Sequence, residues 1–502
     1  MLLWRKTIFY VFVLIYLIVC PLLILYSLGI IFKPADQSLQ KTGIIDLSTI
    51  PPGAVVTINQ KHFTETTPTI IRDLRPGEYT VNINLANYKP WVKNLTVKET
   101  KATIAKDILL IPEQWNLKEV SHEEYEELIP MPEVSFCLLK KGQCLKDLFI
   151  FHWKNQNLIE NEESLEKAQM TPLVSEEFPF SKAEIKHLYL TAGSPFLLAE
   201  VQWKEHRKFL WINGNLKIPE MIDITDLLIN EEPDMISWDP KSHDILYNYH
   251  AKAVTIIDIA TKTIRPHLFK NIRTLALYNN RVYTFMKDYR LKRFNEKGEN
   301  PRILLHNPQL GIALFGRHKT WHMHVLSDNI IIFLNEKGGL LSNRLPYQLV
   351  SSGIKGFQFE KNNQRLLIWK KDDIGFIDFT KNANDEIFEK GPKLTWFHIP
   401  AKNVQQALWI NRGSQILFVD DNMVFIMETA SFEQTEIYKI TDIKEDSSIA
   451  YSESLGRLFF LKQTTHDLSS IKIVPHDAML SLPGANENGD HAIKANEPKT
   501  PQ

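Results

Sequence analysis

PPGAVVTI at Pro51–Ile58, TTPTII at Thr66–Ile71, LRPGEYTVNI at Leu74–Ile83 and NYKPW at Asn87–Trp91 stand in that order within Thr42–Pro112. Val55, Thr57 and Asn59 alternate with Val56, Ile58 and Gln60, which suits a strand with two unlike faces. Pro51-Pro52-Gly53 ahead of it is turn chemistry, with Gly53 free to take a positive φ. Thr66-Thr67-Pro68 stops a strand, because proline donates no ladder hydrogen bond and holds the residue before it extended. Arg75-Pro76-Gly77-Glu78 reads as a β-turn. Tyr79, Val81, Ile83 and Leu85 then alternate with Thr80, Asn82 and Asn84, the clearest period of two in the chain. Trp91–Val97 and Ala102–Leu110 supply two further strands.

These four motifs, in this order and spacing, resemble the PEGA domain, a small β-sandwich of prokaryotic surface proteins. Pro52 stands where the name-giving motif has glutamate. Asn87 stands where a glycine usually precedes the tyrosine, and asparagine tolerates the left-handed region better than most residues. The resemblance implies a module that joins or displays other domains and performs no chemistry of its own. A generic immunoglobulin-like or fibronectin-like module is the other reading of the same strands.

Ile8 to Phe32 is an uncharged, mainly apolar run, interrupted by Pro21 and Gly29. Its length suits a helix across ~30 Å of hydrocarbon. Arg5 and Lys6 precede it and Lys33 follows, so the positive-inside rule places the N-terminus in the cytoplasm. The run exceeds the apolar region of a signal peptide and no Ala-x-Ala site follows, which favours an uncleaved signal anchor over a cleaved signal peptide. The expected arrangement is a cytoplasmic N-terminus at 1–7, a membrane span at 8–32, a linker at 33–41 and the bulk of the chain extracytoplasmic. Cys137 and Cys144 bracket a Lys-Lys-Gly turn in what reads as a hairpin, and an oxidising compartment would let them form a disulfide.

The chain has 502 residues and a net charge of −1, with 58 Lys and Arg against 59 Asp and Glu. That balance lacks the basic footprint of a nucleic-acid binder. After Pro112 one theme repeats: a short apolar strand, a polar turn, a second strand, a turn and a third. Met235–Asp239, Asp244–Tyr249 and Ala253–Ile259 make one copy. Others begin at Ile354, Val404 and Ser448, and weaker ones near Ile185, Ile272 and Ile312. The spacing is that of a four-stranded propeller blade. The expectation is a mainly β protein: the sandwich over 42–112, then a WD40-like or TolB-like β-propeller over 113–478. Seven blades are counted, and Trp115–Phe151 offers an eighth. Asn155–Glu184, with Glu160, Glu162, Glu163 and Glu166, reads as a solvated insertion, and 479–502 as a disordered tail.

Catalytic spacings are absent: no G-x-S-x-G, H-E-x-x-H, Walker or G-x-G-x-x-G motif occurs. His122-Glu123-Glu124 starts like a zincin helix, but glutamate stands where the second histidine is needed. His318, His322 and His324 form the one metal-like set; on a strand His322 and His324 share a face while Trp321, Met323 and Val325 take the other. A solvent-facing pair on a blade is the plainer reading. No cofactor is expected. The reading is a non-enzymatic, membrane-anchored envelope protein whose propeller binds a protein, peptide or glycan. An envelope hydrolase or lyase, with its site in the propeller channel, is the alternative.

Overall fold

The computed structural model describes residues 2–475 apart from 28–29, 34–37, 132, 154–169, 217–218, 229–234, 240–241, 251–252, 307–308, 310–314, 316–319, 344–348, 381–392 and 430–434. The proposed tail, the first half of the acidic insertion (155–169), Ile312 and His318 lie outside the described residues. The chain divides into two compact units: Met1–Asn116 with Glu428–Glu436 and Lys472–Gln502, and Leu117–Met427 with Ile437–Ile471.

Among the described residues the first unit holds a two-stranded sheet, Ile30–Lys33 with Ser38–Lys41, and the two sheets of a sandwich. Thr69–Leu74, Gly43–Ile50 and Ala102–Leu109 form one, and Lys61–Thr66, Val55–Ile58, Gly77–Asn84 and Trp91–Val97 form the other. Alternation decides which side chains fill the space between them. Trp91, Lys93, Leu95 and Val97 are buried while Val92, Asn94 and Thr96 are exposed, and Val56, Ile58, Val81 and Ile83 meet Ile45, Leu47 and Ile108 in one core. Gly53 and Asn87 both take left-handed backbone, with φ of 91° and 69°, so asparagine serves at the position where glycine is usual.

The N-terminal helix runs Leu2–Ser27. Among the described residues no helix is long and apolar enough to cross a membrane. The end of the expected span is not helical at all: Ile30–Lys33 pairs as an antiparallel strand with Ser38–Lys41. The expectation of a span from Ile8 to Phe32, with its cytoplasmic N-terminus and extracytoplasmic bulk, is therefore overturned.

The second unit is built of eight four-stranded antiparallel sheets, here blades 1–8, whose first strands begin at Glu127, Glu184, Met235, Ile272, Trp321, Gly356, Val404 and Ala450. Each sheet is meandering, and its inner strands are apolar on both faces because both faces are covered. In Arg365–Trp369 of blade 6, Leu366 and Ile368 pack with Leu326 and Ile330 of blade 5. Leu367 and Trp369 pack the other way, with Val404 and Ala407 of blade 7. Gly356, paired with Trp369 across the ladder, must be glycine: a Cβ there would lie 2.2 Å from the indole.

The same face-to-face packing links blades 1 to 2, 2 to 3 and onward to 7. It also links blade 8 back to blade 1, where Phe459 and Leu468 meet Cys137, Leu139 and Phe151. Blade 8 is completed by a strand from the opposite end of the unit. Leu117–Glu124 pairs with Asp467–Lys472, in the register Leu117↔Ile471, Lys118↔Ser470 and Glu119↔Ser469. Trp153 stacks on Phe459 at 5.4 Å and 10°, sealing the junction. The stretch Trp115–Phe151 thus supplies both the closing strand and much of an eighth blade. The first described strand of blade 5 begins at Trp321. His122 lies on a strand, not a helix.

Candidate functional site

In a propeller the turns that end the first strands converge on one mouth of the ring. Four such turns of this ring are bonded to one another. In blade 6, Glu360 ends the first strand and its carboxylate accepts the N–H groups of Asn362 and Asn363, at 3.0 and 2.6 Å. Asn363 Nδ2 donates to Arg412 O of blade 7 at 2.9 Å, and Arg412 N donates to Glu453 Oε1 of blade 8 at 3.1 Å. Lys361 Nζ meets Glu133 Oε2 of blade 1 at 2.6 Å. Blades 7 and 8 lie between blades 6 and 1 in the ring, so this last pair spans the mouth instead of joining neighbours.

The blade 7 turn is conformationally costly. Asn411, Arg412 and Gly413 all have left-handed backbone, with φ of 47°, 54° and 79°, and an arginine held there costs roughly 1–2 kcal/mol. The surroundings impose it: Asn411 Nδ2 donates to Gln415 in a buried bond of 2.9 Å, and Arg412 N is aimed at Glu453. Glu453 is exposed. Burial pushes its carboxyl above the ordinary range, the N–H groups of Arg412 and Asn411 pull it back, and the charge of Glu360 adds to the rise. Tyr451, two residues earlier, is likewise pushed up, first by burial and then by Glu453.

Behind the turns the first strands are tied by glutamines at equivalent third positions. Gln358 Oε1 accepts Trp409 N at 2.6 Å, and Gln406 both donates to Ile449 O and accepts from Ile449 N, at 3.0 and 2.8 Å. Each side chain supplies the neighbouring blade with a bond its own edge lacks. No spacing singled these residues out. A repeat-aligned comparison of Gly356-Phe357-Gln358 with Val404-Gln405-Gln406 carries the signal. Chemically the mouth offers paired charges and amides around a concavity. Of its three carboxylates, Glu360 and Glu453 accept backbone N–H groups and Glu133 meets Lys361.

The residues singled out in the sequence fall elsewhere. His322 and His324 do share a face of Trp321–Ser327, and Trp321 and Met323 are core. His324 packs edge-on against Phe357 of blade 6 at 4.8 Å, and burial, with a lesser push from His322, holds its imidazole at about 4. His324 is thus packed against a ring rather than facing solvent, while His322 is exposed. Among the described residues no group of three or more His, Cys, Asp or Glu is placed to hold a metal. Cys137 and Cys144 are free thiols, against the expected disulfide. Cys137 pairs across the hairpin with Phe151. Asp373 accepts Ile374 N and His398 N, and Asp420 accepts Lys402 N and Asn403 N, so both serve turns.

Comparison with solved structures finds β-propellers at low similarity. The β-propeller domain of Cps50 (Swd1) from Myceliophteria thermophila is 11% identical with a TM-score of 0.40, covering 71% of this chain and 99% of that one. Hsv2 of Kluyveromyces lactis is 7% identical, TM-score 0.39, covering 63% and 97%. PorZ, an essential bacterial surface component of the type-IX secretion system of Porphyromonas gingivalis, is 13% identical, TM-score 0.35, covering 69% of this chain but 42% of that one. The propeller assignment rests on the sheet order and packing described above. No curated protein matches the sequence. The family model of the PEGA domain matches residues 42–108, the seven-stranded sandwich of the first unit, and that segment of the chain is a PEGA domain.

Proposed function

We propose that this protein is a non-catalytic binding platform, in which the mouth formed by the turns of blades 6, 7, 8 and 1 receives a protein or peptide partner. The PEGA domain acts as a joining module. The carrying observation is the turn-to-turn linkage that ends in the Lys361–Glu133 pair across the mouth. Such linkage fixes polar groups from four blades as one rigid surface, and pre-organised groups lose little entropy on binding. Exposed ion pairs themselves add only about 0–1 kcal/mol to stability, so their removal tests recognition without unfolding the ring. Lys361→Glu and Glu133→Lys are expected to cut recovery of proteins captured by the full chain by about tenfold, read by quantitative mass spectrometry. Lys402→Glu, an exposed reversal in the loop ahead of the first strand of blade 7, should leave recovery unchanged. Equal recovery by all three variants would overturn the proposal.

A further inference from the structure

Blade 4 carries a charge the rest of the chain does not. Residues 272–306 hold eight Lys and Arg against three Asp and Glu, in a chain whose totals are 58 and 59. From Asn300 to Ser327 there is no carboxylate at all. The blade comprises Ile272–Tyr278, Arg281–Met286, Arg290–Asn295 and Arg302–His306.

Register places these charges together. Tyr283 pairs with Arg293, and Arg293 pairs with Arg302, so one row crosses the three outer strands on one face. Arg281 lies on the same face, two residues before Tyr283. Its Nη1 meets Asp328 Oδ1 at 2.8 Å, and the Tyr283 hydroxyl lies 3.5 Å from the same oxygen while Arg281 and Arg293 both hydrogen-bond to the phenol. Glu299 is turned onto Asn295, whose Nδ2 lies 3.5 Å from its carboxylate. Asp328 therefore answers Arg281. Among the described residues Arg293 and Arg302 have no carboxylate partner, and like charges directly opposite on adjacent strands repel.

The strand that ends this row has an open edge. Among the described residues Arg302–His306 pairs only with Arg290–Asn295. Ile303, opposite Lys292, is 52% exposed on its other face. An open edge with unanswered cations on one face and an exposed aliphatic on the other fits a particular occupant. We propose that Arg302–His306 accepts an extended acidic segment of a partner protein as a fifth strand. Its carboxylates would lie against Arg293 and Arg302, and its apolar residues against Ile303. Main-chain bonds would supply affinity and the alternating side chains specificity.

The test uses the full chain and two labelled peptides of equal length and charge, one alternating Glu and Val and the other Glu and Pro, followed by fluorescence anisotropy at low salt. Proline cannot donate to a ladder. The Glu-Val peptide is expected to bind at least about tenfold tighter than the Glu-Pro peptide, and to weaken about tenfold with Arg302→Glu or Arg293→Gln. Arg302 is exposed, so Arg302→Gln gives a second variant that leaves folding intact, checked by an unchanged unfolding midpoint. Equal binding of the two peptides would mean diffuse electrostatic attraction only and would overturn the proposal. So would unchanged binding by the folded variants, or no binding of the Glu-Val peptide.

Discussion

Replacing Phe459 with alanine is expected to cost the second unit about 3–5 kcal/mol, read as a fall in the urea midpoint with unchanged slope. Phe459 is fully buried and stands where the ring meets itself. It contacts Phe151 edge-on at 5.1 Å and stacks with Trp153 at 5.4 Å, both on the blade 1 side. Removing the ring leaves a cavity whose lining comes from two blades far apart in sequence, so the walls have little freedom to collapse. Ile264→Ala is the control, since that side chain is 45% exposed and surface changes stay within about 0.5 kcal/mol. A loss below about 1 kcal/mol at Phe459 would show that blades 8 and 1 do not pack as described.

The second large effect is acid sensitivity centred on His324. Its pKa is about 4 in the folded chain, against an ordinary 6.5. The folded state therefore binds this proton less readily than the unfolded state. Its contribution is complete above pH 6.5 and is lost as the pH falls from 6.5 towards 4. By linkage the shift corresponds to roughly 3 kcal/mol at most. Carboxylates titrate in the lower part of that window, so the informative quantity is a difference. Stability of the wild type minus that of His324→Gln should fall by about 2–3 kcal/mol between pH 7 and 4. A flat difference would mean that the imidazole is not desolvated against Phe357.

Several elements were legible because their physics is local. Val404–Ile410, Gln415–Val419 and Met423–Glu428 declare themselves as strands by apolar runs separated by Asn-Arg-Gly and Asp-Asn turns, and they fold nearly as read. Trp91–Val97 shows its inward face by alternation alone. Blade 1 was harder, since its first strand has four residues and its outer strand only Thr171–Pro172. The closing strand LKEVSHEE commits a single side chain, Val120, to the core. A strand that is mostly exposed carries no periodic signature, although it decides whether the ring closes.

The N-terminal apolar run misled for a different reason. Composition sees Ile30, Ile31 and Phe32 as more of the same helix, whereas the backbone turns there into a hairpin with Ser38–Lys41. The mouth was invisible because its pairs are non-local. Lys361 and Glu133 are ordinary surface residues until eight sheets close and bring their turns face to face. Alternation alone put the histidine pair on one strand face, whereas the packing of His324 against Phe357 comes from the next blade and was not legible.

Closure by Leu117–Glu124 carries the whole account, because without it the four turns do not share a mouth. Lys118 and Ser470 are direct cross-strand partners, and Cα atoms so paired lie about 4.5–5.5 Å apart, within disulfide range. The doubly substituted chain, Lys118→Cys with Ser470→Cys, should form this bond under mild oxidant in native buffer and not in urea, with the linked peptides identified by mass spectrometry. Free thiols at both positions in the folded, oxidised protein would contradict the closed ring.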